Sequence, residues 1–328
     1  MQTDKNFISK DNRFLFIVTI INCLFLFPFA CSTLSSQKDY NLRTTHSGQW
    51  QTKLFQKLEL KKMAGLSGLT QLKKGTYISV AERDQALLIL RLKETQTNIE
   101  LERISVAGFP KDLDMEAIVA ISPKEVWIGT ESRQADRKHD FIFKIDISKN
   151  PAQIVGRIEF PYEQFKNAPS TIDRSNRGIE GLCLSSEYLY VATESPRILD
   201  SGERMAMLSR YHLATQQWTP FYARLNSQRG KTSALSCQRT DSANEPEIYA
   251  IERHYGVSQI IRLEPPVELE PETILETKPI LNLDPFFKNN PNLEGLVSLS
   301  PFHFIVLSDN QSSVIQGPTV FLELVRKP

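Results

Sequence analysis

The sequence predicts an all-β fold, a β-propeller of four-stranded blades, on three observations. Short Val/Ile/Tyr/Leu runs alternate with Gly, Pro, Asn and Ser clusters, helical periodicity is scarce after the first thirty residues, and one pattern of runs returns five times. With 41% apolar and 23% charged side chains in 328 residues, the chain has the composition of a folded globular protein, not of a disordered one. Its 39 basic and 38 acidic residues leave a net charge of +1. No overall field therefore draws it to nucleic acid or to acidic lipid, and functional charge has to be local.

The first element is an address. Lys5, Lys10 and Arg13 precede an apolar stretch over residues 14–30, which ends Phe29-Ala30-Cys31-Ser32-Thr33. Charge, apolar core and small residue make a secretory signal. A small residue directly before a cysteine resembles the bacterial lipobox, in which the cysteine is lipidated and becomes the new N-terminus, although Pro28 stands where that pattern has Leu. The expectation is a lipoprotein-type signal peptide over residues 1–30, a lipid on Cys31 and a flexible polar tether over 31–49. The alternative is an uncleaved anchor, because a predominantly apolar stretch of seventeen residues reaches the lower end of the roughly 17–25 that span a bilayer. Either reading puts the body outside the cytoplasm, in the cell envelope, with the membrane reached through the N-terminus. Ser32 in place of Asp after the cysteine implies outer-membrane sorting, by resemblance to Gram-negative lipoproteins. Cys23 lies inside the signal, leaving Cys183 and Cys237 as the pair in the mature body. An oxidising compartment permits a bridge between them, but their apolar strands predict two buried free thiols.

The repeats come next. One copy runs Asp114-Met115-Glu116-Ala117-Ile118, then Glu125-Val126-Trp127-Ile128-Gly129-Thr130-Glu131, then Phe141-Ile142-Phe143-Lys144-Ile145. A second runs Ile179-Glu180-Gly181-Leu182, then Tyr188 to Glu194, then Met207 to Tyr211; a third runs Leu293-Glu294-Gly295-Leu296, then Phe304 to Asn310, then Val320 to Leu324. Weaker copies start at Ser67-Gly68-Leu69 and Ser233-Ala234-Leu235. The small residues at 68, 117, 181, 234 and 295 are spaced as propeller blades are, each able to hold four strands and variable outer loops. Further strands around residues 50–60 and 99–106 raise the expected count to six blades in a single domain over 50–328, a monomer closed by strands from both ends. Closure removes exposed sheet edges; a parallel solenoid would need shorter and more regular repeats.

Folding each pair of runs as a hairpin puts Glu116 opposite Glu131 about a turn at Pro123-Lys124, and Glu294 opposite Asp309 about Pro301-Phe302. Glu180 falls within one register step of Glu194, while Glu82 and Glu252 add single acids at the matching place. All should crowd one mouth of the central channel. Like charges so placed repel, and they need a neutraliser. A hard cation such as Ca²⁺, which takes about 6–8 oxygen ligands, makes Glu116, Glu131, Glu180, Glu194, Glu294 and Asp309 candidate metal ligands. Arginines are the other neutraliser: Arg83, Arg133, Arg197 and Arg253 follow the second acid of a repeat, and Arg177 precedes Glu180. Acid–arginine pairs can be purely architectural. They can equally form a polar funnel in which Arg133, Arg177, Arg197 and Arg253 grip an anionic substrate, since a guanidinium fork matches phosphate oxygens.

The motifs Ile179-Glu180-Gly181-Leu182 with Ala192-Thr193-Glu194-Ser195, and Asn292-Leu293-Glu294-Gly295-Leu296 with Leu307-Ser308-Asp309-Asn310, resemble the phytase-like propeller family, described as having esterase-like phytase activity. The resemblance covers residues 66–324, and the copy at Glu116 departs from it only by Ala117 in place of Gly. It implies a metal-assisted ester hydrolase, with Glu180, Glu194 and Glu294 as catalytic acids and a small phosphoester as substrate. Other hydrolase signatures are missing: there is no Gly-x-Ser-x-Gly elbow, no HExxH, no CxxC and no Gly-rich phosphate loop. Arg253-His254-Tyr255-Gly256 lacks the Arg-His-Gly order and the downstream Arg-x-Pro of histidine acid phosphatases. Trp50, Trp127 and Trp218 read as core side chains. The competing function is a non-catalytic envelope propeller that binds a glycan, peptide or partner protein.

Overall fold

The computed structural model describes residues 42–328 except 59, 61–64, 83, 94–97, 135–136, 166–176, 239–245, 255, 310–317 and 328. The signal peptide, Cys31, Arg83 and Asn310 lie outside the described residues. The chain separates into the units Met1–Ser35 and Ser36–Pro328, and every described strand lies in the second.

Strands dominate this unit, with two single turns of 3-10 helix, Tyr162–Gln164 and Asp284–Phe286, among the described residues. Blade 1 is Leu66–Lys73, Thr76–Ala81, Ala86–Leu92 and Ile99–Ala107; blade 2 is Leu113–Ser122, Glu125–Ser132, His139–Asp146 and Ala152–Pro161. Blade 3 is Ile179–Leu184, Tyr188–Thr193, Arg204–His212 and Trp218–Arg224, with short strands Arg197–Ile198 and Ile274–Leu275 added at its edges. Blade 4 is Lys231–Gln238, Glu247–His254, Val257–Leu263 and Lys278–Asn282. Blade 5 takes Asn292–Ser300, His303–Asp309 and Thr319–Arg326, and its outermost strand is Trp50–Leu58 from the other end of the sequence. The innermost strands pack side by side around a ring, blade 5 returning to blade 1.

The described strands make five blades, not six. The runs that suggested a sixth are the outermost strands of blades 5 and 1, left at the outside because a blade needs four strands to span from axis to rim. Residues 42–49, at the end of the expected tether, are tied to the body: Leu42 bridges to Phe287, the Arg43 amide donates to the Phe286 carbonyl at 2.8 Å, and His46–Ser47 pairs with the start of Trp50–Leu58.

Alternation along each strand buries one face of a blade against the blade before it and the other against the blade after it. Five apolar clusters result, one in each gap: Ile78, Leu87, Met115 and Val126 between blades 1 and 2, for instance, and Tyr249, Ile260, Phe304 and Leu322 between blades 4 and 5. At the axis the small residues meet. A Cβ on Gly181 would lie 2.7 Å from Leu235 Cγ and 3.0 Å from its amide nitrogen, one on Gly295 2.7 Å from Leu69 Cβ, and one on Gly68 2.8 Å from the Ile118 nitrogen. Gly68 also holds a φ of +59°, a left-handed conformation that favours glycine. Blades 3 and 4 are joined by a disulfide between Cys183 and Cys237 on adjacent inner strands, with Cα atoms 5.2 Å apart. This corrects the expectation of free thiols: the ring lays neighbouring inner strands side by side, which brings these two positions within bridging distance.

Candidate functional site

Every innermost strand breaks register with its neighbour beside the axial small residue. In blade 2 Met115 pairs with Thr130 and Ala117 with Gly129, so Glu116 is skipped. Blade 3 skips Glu180 between Ile179 and Gly181, blade 5 skips Glu294 between Leu293 and Gly295, and blade 4 skips Ser233. A bulge residue leaves the ladder and has its side chain re-aimed. Three of these four are glutamates, and all three line one cavity of about 830 Å³ at the mouth of the ring.

The bulges also correct the predicted cross-strand pairs. At the turn end of the blade 2 and blade 5 hairpins the register is as expected, with Ser122 facing Glu125 and Ser300 facing His303. Each hairpin then carries two bulges, and two residues of register are lost before the mouth. Glu131 consequently faces Asp114, not Glu116, and Asp309 faces Asn292, not Glu294. The six expected acids nevertheless all line the cavity, joined by Glu82. Oxygens of Glu82, Glu294 and Asp309 lie within 4.8 Å of one another, as do those of Asp114, Glu116 and Glu131. Glu252 does not join them. It accepts from the Asn226 and Ser227 amides at 3.0 and 2.9 Å and from Gln259 Nε2 at 2.9 Å, and so anchors the loop between blades 3 and 4.

Burial among like charges dominates the electrostatics. It pushes the Glu131 carboxyl up to about 7 and Glu180 to about 8, and it holds Glu82 and Glu116 well above the usual carboxylate range. In each case desolvation is the first cause, and the neighbouring acids add to it. Oε2 of Glu131, Glu180 and Glu294 is buried with no hydrogen-bond partner. Buried carboxylate oxygens without donors are rare and costly. A hard-oxygen donor set of this kind is compatible with calcium.

Two of the cations that line the cavity pair with its acids. Arg253 ion-pairs with Glu294, and Lys231 ion-pairs with Glu194; burial first, then Arg253, lowers the Lys231 ammonium from its ordinary value. Of the four arginines expected to hold substrate, Arg253 alone lines this cavity. Arg133 is exposed and bound bidentately to Asp114 at 2.9 and 2.7 Å. Arg197 lies 3.7 Å from Glu272 and over the Tyr222 ring, and Arg177 offers its carbonyl to Arg137 at 2.8 Å. Following the second acid of a repeat does not by itself aim an arginine inward: Arg133 lies past the end of Glu125–Ser132, Arg197 belongs to the short edge strand Arg197–Ile198, and Arg253 stays within Glu247–His254. Lys231 escapes a reading based on the acids: it opens an inner strand, directly across from Arg253, and that cross-strand pairing is the signal that could have found it. Arg43 also lines the cavity, as do residues 287–291 of the loop between blades 4 and 5.

A family model described as "Phytase-like: Esterase-like activity of phytase" matches residues 61–311. No curated protein matches the chain. Among solved structures, the major allergen Mala s 1 of Malassezia sympodialis superposes with a TM-score of 0.53 at 8% identity, over 82% of this chain and 95% of the allergen. A protein of unknown function from Dyadobacter fermentans superposes with a TM-score of 0.50 at 9% identity, over 86% of this chain and 100% of that one. At such identities the likeness is one of fold.

Proposed function

Because the chain belongs to the phytase-like family, described by its esterase-like activity of phytase, we propose that it is a metal-assisted hydrolase of small anionic phosphoesters acting at the acidic mouth of the propeller. The observation that carries this is the convergence of three bulge glutamates, Glu116, Glu180 and Glu294, on one cavity that also admits Arg253 and Lys231. Glu82, Glu294 and Asp309 on one side, and Glu116 and Glu131 on the other, would hold Ca²⁺. The ion, when bound, neutralises the acids and polarises a phosphoryl oxygen or a water.

The chain's own groups supply the rest. Lys231 and Arg253 orient the ester's oxygens through charge-assisted hydrogen bonds, and the carboxylates of Glu194 and Glu294, each held by one of these cations, orient the attacking water. The loop at 287–291 forms part of the wall of the mouth. Assay of the purified chain on phytate and on p-nitrophenyl phosphate, with Ca²⁺ and with chelator, tests the reading. Chelator-sensitive hydrolysis supports it. Failure to cleave any ester with calcium present rules it out and favours a binding propeller, for which the Lys231–Glu194 and Arg253–Glu294 pairs already supply neutralisation.

We further propose export as an outer-membrane lipoprotein anchored through Cys31. The Ala30-Cys31 junction after an apolar run supports it, and so does the Cys183–Cys237 disulfide, which suits an oxidising compartment. Cys31→Ser should move the mature chain from the membrane to the soluble fraction; a variant of unchanged size that stays in the membrane pellet would count against the anchor.

A further inference from the structure

We propose a second binding site, for a neutral pyranose sugar, in the groove between blades 2 and 3 at the end of the strands away from the acids. The groove, about 480 Å³, is lined by Trp127, Tyr211 and Trp218 together with Arg157, Glu159 and Gln216. That volume falls within the roughly 300–1,000 Å³ usual for small-molecule sites.

Trp127 is half-buried where the repeat calls for core. It stands two residues before Gly129, the partner of the axial Ala117. Tyr190, Tyr249 and Ile305 stand two residues before the partners of Gly181, Ala234 and Gly295, and they are 0%, 1% and 0% exposed. Of these four side chains only Trp127 opens to solvent. Trp218, from the fourth strand of blade 3, is likewise half-buried over the same apolar cluster, and its ring lies tilted against that of Tyr211, its cross-strand partner, with centroids 4.7 Å apart. Two indoles left part-open across one gap are surface that packing alone would have closed.

The chemistry around them matches a sugar. A pyranose offers an apolar C–H face to an aromatic ring and a rim of hydroxyls to planar groups with paired donors and acceptors. Arg157, Glu159 and Gln216 are such groups. Gln216 sits in a fixed left-handed turn, φ 59°, its amide donating to the His212 carbonyl at 2.8 Å, so its side chain is presented from a set position. Arg157 pairs with Glu159 at 3.3 Å and the adjacent Lys144 with Glu125 at 2.8 Å, which leaves the rim without net charge and favours a neutral sugar over an acidic one. None of this depends on the reading of the acidic mouth.

Tryptophan fluorescence reads the site directly, because Trp50 is buried between blades 4 and 5 and leaves Trp127 and Trp218 to respond. The full chain would be titrated with cellobiose, maltose, lactose and diacetylchitobiose, with calorimetry in parallel. The expected result is saturable binding of at least one, weakened about tenfold or more in Trp218→Leu and in Arg157→Ala. Gln216→Asn keeps the left-handed turn while shortening the reach, and should weaken binding without changing the melting temperature. Glu180→Gln should leave it intact. No saturable response to any of the four sugars, a response unaltered in the groove variants, one lost in Glu180→Gln, or tighter binding of a uronic acid or sulfated sugar would overturn the assignment.

Discussion

Gly178 of blade 3 lies flat against Glu131 of blade 2: a Cβ at Gly178 would come within 2.7 Å of the Glu131 Cα and 3.0 Å of the Thr130 carbonyl oxygen. The backbone that leads into Glu180 thus rests on the strand that carries Glu131, and two acids of the mouth are spaced by a missing side chain. Gly178→Ala should cost about 1–3 kcal/mol, as overpacking against backbone does, read as a lower urea midpoint at unchanged m-value. Gly156→Ala, whose Cβ would meet only Lys144 Cβ at 3.4 Å, should be near neutral.

Calcium should raise the melting temperature of the native chain, because a ligand that binds only the folded state stabilises it, by about 2.7 kcal/mol at a hundredfold excess over Kd. Glu180→Gln should shrink that response. Arg253→Met discriminates between neutralisers, since it strands the buried Glu294 among like charges. A flat calcium titration together with a strongly destabilised Arg253→Met would assign neutralisation to the protein alone.

The pH dependence comes from the raised carboxyls. Glu131 and Glu180 bind their protons more tightly when folded, with values of about 7 and about 8 against 4.5 in the unfolded chain. The unfolded state sheds these protons first, so stability in chelator should fall as pH rises from 4.5 and level off only above about 8. Saturating calcium should flatten this fall by favouring the ionised acids. Melting curves with and without the ion, taken across that window, check it; a chelator curve that rises from acid to neutral would reverse the sign of the argument.

Reduction should uncouple blades 3 and 4. The Cys183–Cys237 bridge spans 54 residues of sequence, for which loop-closure entropy gives about 4 kcal/mol. The double variant Cys183→Ala, Cys237→Ala should lose most of that in denaturant unfolding, and a reductant should then have no further effect on it.

The repeats are legible because blade strands carry their period in apolar runs, and Glu116, Glu180 and Glu294 stand out because each adjoins the small residue at the axis. What the sequence hides is register. A bulge is one residue of backbone geometry with no side-chain signature of its own, so Glu131 is matched to the wrong partner even though both acids reach the mouth. Glu252 obeys the same pattern as Glu82 yet turns to cap a loop, because the donors that capture it, Asn226 and Ser227, arrive from a segment outside the repeat. The sixth blade fails for a related reason: strand propensity at residues 50–60 does not say which sheet will take the strand, and its partner lies at the far end of the chain.

That last pairing has a cost in time. Lys53 reaches Glu323 across 270 residues, and a strand made early in synthesis completes a sheet with one made far later. Until Thr319–Arg326 emerges, Trp50–Leu58 has only the two-residue His46–Ser47 beside it among the described strands, blade 5 is incomplete, and the ring stays open on an unpaired edge. Contacts this distant form slowly, and a chain waiting for them is exposed to pairing with another copy of itself. A nascent chain stalled before its last blade would therefore be an aggregation hazard and not a four-bladed miniature, and whatever escorts it before completion has one edge above all to cover.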